Sequence, residues 1–129
     1  MFVLAALAAG VSHATDIDMT ALSAIPGTVS EAYVHMGGNA YFRLTGASTV
    51  KLSSSATGVP VSNILWSIPD YSSNILARGA FGLVETSLQS GLASIVIYNP
   101  TDNEGSCTVT GSGSTASAIC TFAHFHATR

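Results

Sequence analysis

Residues 31–46 read EAYVHMGGNAYFRLTG, two short runs of alternating residues on either side of a glycine pair. Alternation with period two is the mark of a half-buried strand, and two such runs around glycine predict a β-hairpin. Its register decides which side chains face the core. A two-residue turn at Gly37 and Gly38 would set Val34 opposite Tyr41 and Ala32 opposite Arg43, mixing polar and apolar residues on both faces. A three-residue loop of Gly37, Gly38 and Asn39 pairs Met36 with Ala40, Val34 with Phe42 and Ala32 with Leu44. One face is then continuously apolar. The other carries His35 opposite Tyr41, Tyr33 opposite Arg43 and Glu31 opposite Thr45, with Glu31 diagonal to Arg43. A one-residue slip inverts every side chain, so the three-residue loop is the expected register.

Outward from this hairpin the chain stays rich in strand signals. The weakly patterned residues 15–28 read as a leader, with Pro26 and Gly27 marking a turn before the first strand. Residues 47–62, rich in Ser and Thr, form an irregular connection holding one short strand at 50–52. Residues 63–68, NILWSI, predict a strand with Trp66 in the core. A helix is predicted over 73–90, with N-cap oxygens on Ser72, Ser73 and Asn74, an apolar stripe of Leu76, Ala80, Leu83, Val84 and Leu88, and Gly91 as the C′ residue. Gly79 and Gly82 each cost up to ~1 kcal/mol against alanine, so packing on a sheet must hold this helix. The apolar run ASIVIY at 93–98 predicts a buried strand, and a last strand is expected over 118–127.

Composition bounds the function. The chain has 129 residues, enough for one domain with a real core. Only 9% of residues are charged, against about 25% in typical domains, and the net charge is −3. No basic footprint exists for nucleic acid or an anionic membrane. Residues 1–14, MFVLAALAAGVSHA, resemble the apolar part of a secretory signal, although they carry no positively charged start. The run falls short of the ~20 apolar residues of a membrane span. Export with cleavage is expected, leaving 15–129 as a single β-rich domain in a secreted or periplasmic protein. A retained segment would instead suit a filament subunit.

Two cysteines, Cys107 and Cys120, flank TVTGSGSTASAI. A type II′ turn at Gly113 and Ser114 sets them opposite one another at a non-hydrogen-bonded pair, where α-carbons lie about 4.5 Å apart. A structural disulfide is the expectation, since C-x-x-C redox spacing is absent. No nucleophile elbow, zincin motif or phosphate loop occurs, so no enzyme activity and no cofactor are expected. His124 and His126 share a strand face, but two nitrogens do not make a metal site. His35 would supply a third only if the C-terminal strand lay beside the first hairpin. Otherwise the pair is a solvated edge. The acidic stretch DNEG at 102–105 lacks the ligand spacing of a calcium loop and reads as a turn.

The order is hairpin, irregular crossing, strand, helix, strand, stapled hairpin and C-terminal strand. It predicts a mainly β, α+β fold of antiparallel strands with one helix. Together with NILWSIPDYSSNILARGAFGLVETSLQSGLASIVIY and the following cysteine, AYVHMGGNAYFRLTG resembles a class of short exported bacterial proteins. Its layout is similar to the receptor-binding B subunits of five-subunit bacterial toxins. That resemblance implies a small Greek-key barrel of the OB-fold type with a helix plugging one end. Both cysteines of this chain fall late, and no binding residue carries over.

Two roles follow. In the first, Glu31, Tyr33, His35, Tyr41 and Arg43 form the ligand-binding face of a secreted, oligomeric recognition module for a carbohydrate or other cell-surface ligand. In the second, the protein is a structural subunit of an extracellular filament or coat. A tyrosine face of this kind is also what the wet side of a barrel looks like, with Tyr33 stacked on Arg43.

Overall fold

The computed structural model describes residues 16–18, 23–47, 49–51, 58–99 and 105–129. The signal-like residues 1–14 and residues 102–104 of the acidic stretch lie outside that set. The described chain is mainly β with one helix, as the alternating runs predict. Its strands are β1 (Asp16–Asp18), β2 (Ser23–Val34), β3 (Ala40–Thr45), β4 (Thr49–Lys51), β5 (Val59–Pro60), β6 (Ile64–Ile68), β7 (Ala93–Tyr98), β8 (Cys107–Thr110), β9 (Ser117–Cys120) and β10 (His124–Thr128). The helix α1 (Ile75–Ser90) joins β6 to β7. Seven strands form one sheet in the order β10-β7-β2-β3-β6-β9-β8, and β1-β4-β5 form a second, small one.

The large sheet is mixed and not antiparallel throughout as expected, since β9 runs parallel to β6 while its other pairs are antiparallel. It curls without closing. Thr121, Phe122 and Ala123 alone link β9 to β10, a reach of at most about 15 Å over four Cα steps. In a flat sheet those two strands would stand five spacings, about 24 Å, apart. Curling turns one face inward, where Ile25, Phe42, Leu44, Ile64, Trp66 and Val96 are fully buried. The rings of Phe122 and Phe125 meet Phe42 edge-on at 5.4 and 5.3 Å, so both sides of the sheet converge on that residue. Trp66 is core, as expected.

Three further readings of the sequence are corrected. Pro26 and Gly27 do not turn the chain but lie inside β2, paired with Ile95 and Ser94 of β7. Over that half β2 has only β7 as a ladder neighbour among the described residues, because pairing with β3 begins at Thr28. A residue without an N–H is tolerated where one side of a strand is unpaired. Gly27 is there for close approach, since a Cβ would stand 2.6 Å from the Thr45 carbonyl oxygen. Secondly, the last strand is two strands, broken at Thr121–Ala123 by the crossing just described, and only β10 reaches the far edge.

Thirdly, α1 faces the sheet with a stripe that keeps Val84 of the expected positions and otherwise differs. Asn74 caps it, its side-chain oxygen accepting from the Leu76 and Ala77 amides at 2.9 and 3.3 Å, and Gly91 ends it at φ 65°. The buried positions are Ala77, Phe81, Val84 and Ser87, while Leu76 is 80% exposed. Phe81 decides the rotation by packing edge-on against Tyr71 at 5.3 Å. Ala77 and Ser87 are small enough to let the helix sit close, and the Ser87 hydroxyl donates to the Leu83 carbonyl at 2.9 Å. Gly79 and Gly82 point into open space.

Candidate functional site

The first hairpin carries the site. Ala32, Ala40, Phe42 and Leu44 take the apolar face that the alternation predicts, but Met36 is fully exposed in the loop, Val34 is half exposed, and the register is shifted by two residues. Val34 pairs with Ala40, Ala32 with Phe42, Tyr33 with Tyr41 and Glu31 with Arg43. The loop has three residues as expected, placed one position earlier, at Met36, Gly37 and Gly38. It is closed by the His35 amide donating to the Asn39 carbonyl at 2.8 Å. Gly38, at φ 100°, takes the left-handed position. That frees the Asn39 side chain to work in the site. Its Oδ1 accepts from the Asp70 amide at 3.3 Å and its Nδ2 donates to the Tyr41 hydroxyl at 3.3 Å.

The loop is also docked from below. The Ser72 amide donates to the Gly38 carbonyl at 3.2 Å, and a Cβ on Gly38 would stand 2.9 Å from Ser72 Oγ. The segment between β6 and α1 therefore fixes the tip of the hairpin. A β-bulge at Ser30 fixes its faces. Before it, Ile25 and Val29 point inward; after it, Ala32 lies against the core while Glu31 and Tyr33 point to solvent. Without the extra residue, the parity that buries Ile25 and Val29 would also bury Glu31 and Tyr33.

Four of the five expected site residues stand together on the outer face. Arg43 Nε donates to Glu31 Oε1 at 2.7 Å, a direct cross-strand pair and not a diagonal one, with the two side chains 34% and 49% exposed. The Arg43 terminal nitrogens make no hydrogen bond among the described residues, so the guanidinium fork is free to donate. Tyr33 and Tyr41 lie with ring centroids 5.4 Å apart, their planes tilted by 30°. The expected stacking of Tyr33 on Arg43 gives way to this tyrosine pair. His35 stands at the margin. Its Nδ1 accepts from the Gly37 amide at 2.9 Å, and its ring meets Tyr41 edge-on at 6.5 Å. It anchors the loop. Asn39 is the residue that the sequence reading missed, and a loop asparagine next to an aromatic strand residue was the available signal.

The other expected residues lie elsewhere. Cys107 and Cys120 are disulfide-bonded, opposite one another in the β8–β9 pair with Cα atoms 4.1 Å apart. The register is the one that a turn at Gly113 and Ser114 requires, but the connection is wider, running from Gly111 to Ala116 through a short 3₁₀ turn. His124 and His126 lie on β10 with ring centroids 5.9 Å apart. β7 separates β10 from β2, so His35 does not join them. Among the described residues no group of three His, Cys, Asp or Glu is placed to hold a metal ion, and no helix is long and apolar enough to cross a membrane. The Tyr98 phenol, buried on β7, is pushed above its ordinary pKa by desolvation and takes no part in the site.

Comparison with protein-family models, with curated proteins and with solved structures finds no match for this chain.

Proposed function

We propose that this protein is an exported recognition module that binds a sugar ring or an extended chain across the outer face of the β2–β3 hairpin. One observation carries the reading: a tyrosine pair stands beside an arginine whose fork is free, on the solvent side of a hairpin clamped at its tip. Tyr33 and Tyr41 supply flat amphipathic surface, and Arg43, Glu31 and the Tyr41 hydroxyl supply directed hydrogen bonds. Pre-positioning by the bulge and by the Asn39 contacts lowers the ordering cost of binding. The disulfide is compatible with an oxidising compartment.

A glycan array tests this directly. The wild type is expected to bind, and Tyr41→Ala and Arg43→Ala are expected to lose binding while keeping the wild-type circular dichroism spectrum. Variants that bind like the wild type would move the site off this face. The structural-subunit reading is favoured by a different observation, the outer edges of β8 and β10, which are unpaired among the described residues. Size-exclusion mass and negative-stain images separate the two, since a module gives a small closed particle and a subunit gives polymers.

A further inference from the structure

We propose that His124 and His126 are half of a zinc site which is completed when two copies of this chain pair through the free edge of β10. The pair is at hand geometrically. Both imidazoles are exposed on one face of the strand, their ring centroids 5.9 Å apart, and neither makes a hydrogen bond among the described residues. A zinc ion bound at about 2.0–2.1 Å from each nitrogen in tetrahedral geometry holds two ring centroids about 5 Å apart. The two rings need to close by under about 1 Å, which exposed rotamers allow.

Within one chain the site stops at two nitrogens, because no third His, Cys, Asp or Glu stands in reach among the described residues. The fold supplies the remedy. β10 is the terminal strand of the large sheet, and among the described residues β7 is its one ladder neighbour and its other backbone edge is open to a further strand. Antiparallel self-pairing about Phe125 sets His124 of each copy opposite His126 of the other, at cross-strand distances of about 4.5–5.5 Å. Four imidazoles then gather on one face. That is one more than the three protein ligands with which zinc forms sites that keep a position open. The pairing is a two-fold, isologous contact, which closes at two copies and does not propagate into a filament.

This inference stands apart from the tyrosine face. Sedimentation velocity of the full chain, with and without zinc, reads it. Zinc is expected to double the sedimenting mass with one ion bound per two chains by calorimetry, and EDTA is expected to reverse the change. His124→Gln, His126→Gln and the double variant are exposed changes that keep the wild-type circular dichroism spectrum and are expected to hold the zinc-free mass. An unchanged mass of the wild type in zinc, one ion bound per chain without association, or zinc-driven doubling of the double variant would each overturn the proposal.

Discussion

The two hairpins keep their register by different physics. In β2–β3 the inward residues Val29, Phe42 and Leu44 are almost wholly buried, so any slip would carry large apolar side chains into water. In β8–β9 the outer strand buries little, with Thr108, Val109 and Thr110 exposed, and a slip would cost little burial. There a covalent bond between Cys107 and Cys120 holds the alignment. Where packing is dense, the pattern of residues sets the pairing, and where it is thin, a cross-link does.

Breaking the packed hairpin is expected to have the largest effect. Phe42→Ala removes the ring on which Phe122 and Phe125 converge and should cost about 3–5 kcal/mol in urea unfolding. A cost below about 1 kcal/mol would mean that packing does not set this register. Replacing both Cys107 and Cys120 with serine opens a loop with a sequence separation of 13 and should cost about 3 kcal/mol. Hydrogen exchange sharpens the comparison, because the amides of β8 and β9 should lose protection while those of β2 and β3 keep it. Protection lost equally in both hairpins would show that the two are one unit.

Smaller effects probe the tip and the face of the first hairpin. Gly38→Ala forces a side chain into φ 100° and against Ser72, at an expected cost of about 1–3 kcal/mol by thermal melt. An unchanged melting temperature would mean that the tip is not clamped. Arg43→Ala comes last, at no more than about 1 kcal/mol, because its ion pair with Glu31 is solvent-exposed. If it unfolds the protein, the outer face is carrying the fold and not displayed upon it.

Sequence pattern revealed more about faces than about positions along the chain. Alternation is a local property, so the division of 31–46 into an apolar and a polar side was legible from the residues alone. The two-residue shift in register was not, because it depends on which residue takes the left-handed position. Gly38 takes it so that Asn39 can reach Asp70 and Tyr41, and Asp70 is 31 positions away in the chain. The helix shows the same limit. Its leucines outweigh Ala77 and Ser87 on any hydrophobicity scale, yet the pairing of Phe81 with Tyr71 turned the small residues inward. The sequence around Pro26 and Gly27 looked like a turn because both residues favour turns. Only the long strand, half paired with β7 and half with β3, shows why they are tolerated there.

The bulge at Ser30 acts on the side chains of β2 as a frameshift acts on codons. Everything after it is read in the other phase, so one continuous strand serves as interior wall in its first half and as display surface in its second. The two halves are thereby free to change independently. Substitutions at Glu31 or Tyr33 can retune what the face presents without touching Ile25 or Val29, whereas losing the single residue between them would exchange the roles of wall and display along the rest of the strand.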